Sequence, residues 1–171
     1  MPSTEIMRTS WTMAIVVFGL LLVQGCGEDT AFRNAVNEPA PDFSLPLFDG
    51  GKFSLGENKG KVVVINFFAS WCVSCGEETP MIGKVAKEYA PRAVVFVAIA
   101  VDDTESKARA FLQKAGLTIP AGLDKSGSIK DAYGIYGMPT TFFIDKAGKV
   151  SYLHAGAVNE QLLRHEIDKL L

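Results

Sequence analysis

Residues Lys61 to Phe68 read KVVVINFF, and residues Ala93 to Val101 read AVVFVAIAV. Each is a nearly unbroken run of β-branched and aromatic side chains. Runs of that kind are strands covered on both faces. Residues 73–89 between them read as a helix interrupted by Pro80. Strand, helix and second buried strand in that order require a parallel pair joined by a right-handed crossover. The chain is therefore expected to be an α/β protein.

The remaining elements extend this unit. Phe43 to Phe48 and Lys52 to Leu55 flank Asp49-Gly50-Gly51, a turn sequence between apolar runs, which predicts a β-hairpin ahead of the first buried strand. After the second buried strand comes a helix over 102–115, with Thr104 as its N-cap and Gly116 as its stop. A short strand at 119–123 and a short helix at 126–133 follow. Strands at 140–145 and 150–154 are joined by the turn Lys146-Ala147-Gly148-Lys149. A terminal helix runs from Asn159 to Leu171, with Leu162, Leu163, Ile167, Leu170 and Leu171 on its apolar stripe. The order predicts a central mixed β-sheet flanked by helices, with an added N-terminal β-hairpin.

The N-terminal segment is of another kind. Trp11 to Val23 is an uncharged run of 13 residues. It is short of the roughly 20 that a membrane-spanning helix needs and fits a signal-peptide core. It ends in Val23-Gln24-Gly25-Cys26, an apolar residue and a small residue before cysteine, which resembles the bacterial lipobox. The expectation is a lipoprotein-type signal peptide over 1–25, lipidation of Cys26, a tether over 26–38 and a folded domain over 39–171. An uncleaved N-terminal anchor and plain secretion are the alternatives. All three put the domain on the extracytoplasmic, periplasmic side, and the first two hold it at the membrane. The formal net charge of −2, with both signs scattered and no basic block, argues against nucleic acid as a partner.

Three cysteines are too few for a disulfide framework. Cys72 and Cys75, however, follow a buried strand and open a helix. Cys72 falls at the helix N-cap, where free N–H groups and the dipole favour a thiolate. The i, i+3 spacing brings the sulfur of Cys75 beside that of Cys72. A zinc site needs two further ligands, and His154, His165 and Cys26 are poorly spaced to supply them. A purely structural disulfide closing so small a loop gains little chain entropy. A redox pair fits best, with Cys72 attacking and Cys75 resolving the mixed disulfide.

Asn66 to Pro80, NFFASWCVSCGEETP, resembles the active-site segment of the thioredoxin superfamily, and more closely its TlpA/ResA-like branch of thiol–disulfide oxidoreductases. Gly137 to Asp145, GMPTTFFID, is similar to that family's cis-proline segment. The upstream APDFSLPLFDGGKFSL resembles the hairpin of AhpC/redoxin-like relatives. The resemblance spans Pro39 to Leu171 and implies a thioredoxin-like fold. It assigns Trp71 the place before the nucleophile and Pro139 that of the cis-proline. Met138 then offers its backbone to the substrate chain, and Glu78 is a carboxylate near the inner cysteine that handles its proton. Burial of Glu78 would raise its pKa and suit it to that task. Where thioredoxin carries a buried Asp, this chain has Asn66, which cannot titrate.

The resemblance further implies no cofactor beyond the Cys72–Cys75 disulfide and protein thiols or disulfides as partners. A membrane thiol–disulfide electron donor, a monomer, and a reductive role in cytochrome c maturation or metal-site assembly complete it. A DsbA-like oxidant is disfavoured because only 101–119 separate the second and third strands of the domain, too little for a helical insertion. Two alternatives stand beside it. A thiol peroxidase needs a Thr and a Pro where Ala69 and Ile65 stand. A copper-binding metallochaperone module would pair the cysteines with a distant histidine such as His154.

Overall fold

The computed structural model describes residues 35–171; the expected signal peptide, the lipobox-like sequence and Cys26 lie outside them. Strands β1 (Ser44–Pro46) and β2 (Lys52–Ser54) form the expected hairpin. Then come β3 (Val62–Phe68), α1 (Val73–Tyr89), β4 (Val94–Ala100), α2 (Glu105–Ala115), β5 (Ala121–Leu123) and α3 (Ser128–Ala132). The chain closes with β6 (Thr140–Ile144), β7 (Val150–Ala155) and α4 (Glu160–Asp168). Strands β5, β4, β3, β6 and β7 lie in that order in one sheet. The first three run parallel, and β6 and β7 are antiparallel to their neighbours. The fold is thioredoxin-like, with the mixed sheet and helical layers that the sequence predicts.

Strand parity sorts the two faces. Val63, Ile65 and Phe67 point to one side, where the hairpin residues Leu45 and Phe53, Ile129 of α3 and Tyr133 just after it cover them. Val62 and Val64 point to the other, against Ile82, Val85 and Tyr89 of α1 and Leu163 and Ile167 of α4. Asn66 and Phe68 share that second face, because side chains alternate along a strand. Every residue of β3 is buried, which is what its unbroken apolar sequence requires.

Several boundaries differ from expectation for physical reasons. Helix α2 begins at Glu105 rather than at residue 102. Asp102 takes a left-handed backbone (φ 50°), and the Thr104 hydroxyl caps Lys107 N–H. Helix α4 ends at Asp168, so Leu171 leaves the apolar stripe and is exposed. The ordered pairing starts ahead of Pro39: Asn37 N–H donates to the Val150 carbonyl, and Val150 N–H donates to the Glu38 carbonyl.

The hairpin is fastened to the sheet at Gly122 of β5, which bridges to Leu47. A Cβ at Gly122 would overlap the backbone carbonyl of Pro46 and crowd Leu45. Backbone cannot move aside as a side chain does. Gly122→Ala is therefore expected to cost about 1–3 kcal/mol in denaturant unfolding, with an unchanged midpoint as the contrary result.

Candidate active site

The site sits at the carboxyl ends of β3 and β4, which are adjacent because the two strands are parallel. Cys72 caps α1 with an extended backbone, and its sulfur accepts the Cys75 N–H at 3.2 Å. The two sulfurs are joined as a disulfide. The pair is asymmetric: Cys75 is fully buried, whereas Cys72 keeps 8% of its surface open. A reagent from solvent therefore meets Cys72 first.

Exposed apolar side chains flank that opening. Trp71, before Cys72, is 61% exposed and Val73, after it, 80%. Isolated apolar side chains on a surface are ordinary, but two on either side of one reactive sulfur offer a surface suited to another chain. Met138 is half-buried and packs against the cluster that holds both cysteines. The Met138–Pro139 bond is cis, as the sequence predicts. The Pro139 carbonyl is tied to Gly156 N–H at 2.8 Å.

Glu78 lies one turn beyond Cys75 and is 3% exposed. One carboxylate oxygen accepts a hydrogen bond from the Asn66 amide at 2.8 Å, and the other accepts Val158 N–H at 2.7 Å. The second proton of the Asn66 amide goes to the Thr141 hydroxyl. Loss of water outweighs these two bonds, so the Glu78 pKa is pushed up to about 7. The carboxyl thus changes charge near neutral pH beside the sealed sulfur. Thr79 fixes the same turn by donating its hydroxyl to the Cys75 carbonyl at 2.6 Å.

Four residues of this arrangement are not among the sequence candidates. Asn66 enters the sequence reading only as a group that cannot titrate, yet it is the donor that holds Glu78. Val158, from the loop between β7 and α4, supplies the second donor. That loop is held near α1 by Arg164 of α4, which pairs with Glu88 and Glu160. Asp103 accepts both the backbone N–H (2.6 Å) and the hydroxyl of Ser70 (3.0 Å), clamping the segment before Cys72. The Asp102 carbonyl accepts the Trp71 indole N–H at 3.0 Å, and Lys130 pairs with its carboxylate. The pattern that could have found the two aspartates is their place at the end of β4, next to the end of β3.

His154 lies within β7, with its ring stacked on Tyr152 and its Nε2 3.3 Å from the Ala157 carbonyl. Among the described residues there is no group of three or more His, Cys, Asp or Glu that could hold a metal ion.

The Redoxin family model matches residues 35–171. The thioredoxin-like protein YneN of Bacillus subtilis is 38% identical over 133 residues, covering 77% of this chain and 78% of that protein. The thiol-disulfide oxidoreductase ResA of Geobacillus thermodenitrificans is 32% identical over 136 residues, covering 80% of this chain and 78% of that one. Among solved structures, a thiol:disulfide interchange protein of the thioredoxin family from Chlorobium tepidum superposes with a TM-score of 0.73. It is 32% identical and covers 80% of this chain and 97% of its own.

Proposed function

Since the chain belongs to the redoxin family, among its TlpA/ResA-like thiol–disulfide oxidoreductases, we propose that it reduces disulfides in protein clients outside the cytoplasm. The observation that carries the reading is the asymmetric pair: an accessible Cys72 at a helix N-terminus, bonded to a sealed Cys75 beside a buried carboxyl.

In the reductive direction the Cys72 thiolate attacks one sulfur of a client disulfide. The other client sulfur leaves as a thiolate and takes a proton. Cys75 then gives its proton to Glu78 and attacks Cys72; the second client sulfur leaves as a thiolate and takes the proton back from Glu78, the first having taken its proton from water. Two electrons and two protons pass to the client, and the protein is left as the Cys72–Cys75 disulfide. A membrane thiol–disulfide donor returns the two electrons. No further cofactor enters, because the disulfide is the redox centre. Trp71 lines the client's approach, and the Met138–Pro139 segment offers its backbone to the client chain. Glu78 suits the proton step because its pKa of about 7 lets it both take and return a proton at neutral pH.

The clients are proteins whose paired cysteines must be thiols before haem or a metal is attached. The sequence around Cys26 supports a lipid anchor after removal of residues 1–25, with the domain acting as a monomer on the periplasmic side. Among the described residues no helix is long and apolar enough to cross a membrane.

The test is a redox titration of the full chain against dithiothreitol or glutathione buffers, with free thiols trapped and counted. A two-electron transition at or below about −270 mV is expected of a reductant that needs a dedicated donor. A value near about −120 mV would reverse the direction of electron flow.

A further inference from the structure

A cleft of about 400 Å³ opens beside Cys72 between α1 and α2. Val73, Gly76 and Pro80 line it from α1, and Phe111 and Lys114 from α2. Neither Met138 nor Pro139 takes part, so it is separate from the segment proposed to pair with the client backbone. Its size lies at the low end for a ligand pocket, right for a side chain and its neighbour.

Gly76 is the informative residue. A glycine inside a helix costs roughly 1 kcal/mol against alanine. It does not adopt the positive φ that would call for glycine. Packing does not require it either: an added Cβ would meet only the Phe111 ring, at an ordinary 3.7 Å. Gly83 on the same helix differs, since a Cβ there would press on Leu117 at 3.0 Å. What a missing side chain does at position 76 is keep the floor of the cleft open next to the reactive sulfur.

Lys114 supplies the charge. It is the only charged residue lining the cleft and has no ion-pair partner among the described residues. The last turn of a helix suits a cation in any case. Here, however, Lys114 lines a largely apolar cleft that also includes Cys72.

We propose that this α1–α2 cleft is a client subsite that takes an apolar side chain accompanied by a carboxylate, next to the client's reacting cysteine. The proposal rests on disulfide exchange through Cys72. An apolar group covers Val73, Pro80 and Phe111, and a client Glu or Asp meets Lys114. Clients with basic residues around the cysteine are disfavoured.

The experiment uses the reduced full chain and synthetic peptides whose single cysteine carries thionitrobenzoate in a mixed disulfide. Cys72 attacks the peptide sulfur and thionitrobenzoate leaves as a coloured thiolate; Cys75 then releases the peptide thiol. The peptides carry Glu-Leu-Cys-Leu-Glu, Lys-Leu-Cys-Leu-Lys or Glu-Ser-Cys-Ser-Glu. Rates are divided by those with free dithiothreitol, which corrects for the intrinsic reactivity of each peptide. The Glu-Leu peptide is expected to react about fivefold faster than the Lys-Leu peptide and roughly tenfold faster than the Glu-Ser peptide. Lys114→Glu is expected to reverse the charge preference, and Gly76→Leu to erase the preference for leucine over serine. Corrected rates within twofold of one another, or preferences that both variants leave intact, would overturn the subsite. Failure of disulfide exchange itself reads separately, as no reaction of the unsubstituted protein with the small neutral hydroxyethyl disulfide.

Discussion

The oxidised protein is expected to lose roughly 3 kcal/mol of stability between about pH 4.5 and pH 7, and Glu78→Gln to abolish that loss. Burial raises the carboxyl of Glu78 from its ordinary 4.5 to about 7, against the opposing pull of the Asn66 and Val158 hydrogen bonds. Between those two values the folded protein holds a proton that the unfolded chain has released. The folded state binds more protons there, so stability falls as pH rises. Below the lower value both states are protonated and the folded state carries no penalty. Above the upper value both are ionised and the penalty is constant.

Urea unfolding of the oxidised protein at a series of pH values reads this directly. Cys72 and Cys75 are in a disulfide and do not titrate, and Cys26 is the same in both proteins, so the difference in slope is not a thiol effect. The two histidines are the same in both proteins and cancel in the comparison. Glutamine can accept from only one of the Asn66 and Val158 donors, which costs about 1–3 kcal/mol at every pH. The variant is therefore expected to be the less stable protein at pH 5 and to draw level or better by pH 8. Parallel curves for the two proteins would mean that Glu78 does not titrate in this range.

The burial of Glu78 is legible in the sequence, and most of its partners are not. Cys75, Glu78, Ile82, Val85 and Tyr89 recur at helical spacing on α1, and the structure buries all five. Asn66 is the one polar side chain in VVVINFF, residues 62–68, and parity places it on the face of Val64 and Phe68, toward α1. A meeting of the two could be inferred from periodicity on a helix and on a strand. Val158, 80 residues beyond Glu78, could not. Its N–H is a backbone group, identical in every residue but proline, and only the turn between β7 and α4 aims it. The same holds for the Asp102 carbonyl that receives Trp71. Asp102 reaches that position through a left-handed backbone, where the sequence reading begins a helix. Side-chain periodicity gave the faces of the fold, whereas contacts made by backbone groups depend on loop geometry that composition does not encode.

Cys75→Ser is expected to stop turnover, on the order of a thousandfold or more, and to accumulate protein joined to its client through Cys72. Cys72→Ser is expected to lose turnover equally and to accumulate no adduct. The asymmetry follows from access and from charge. Cys72 is open at the surface and caps α1, so its thiolate gains from the free N–H groups of the first turn. Cys75 has no accessible surface, so a client sulfur cannot reach it in line with its own disulfide. Its only accessible target is Cys72, which is why it resolves rather than initiates. In Cys75→Ser the attack still occurs but the second step has no nucleophile, so the mixed disulfide persists until dithiothreitol releases it. Non-reducing gels and intact-mass measurement of each variant, incubated with a disulfide-bonded protein, separate the cases. An adduct that forms on Cys72→Ser as fast as on Cys75→Ser would show that the buried sulfur is the attacking one. The helix then would have to open before every turnover, and the rate would follow the opening of α1 instead of the concentration of client.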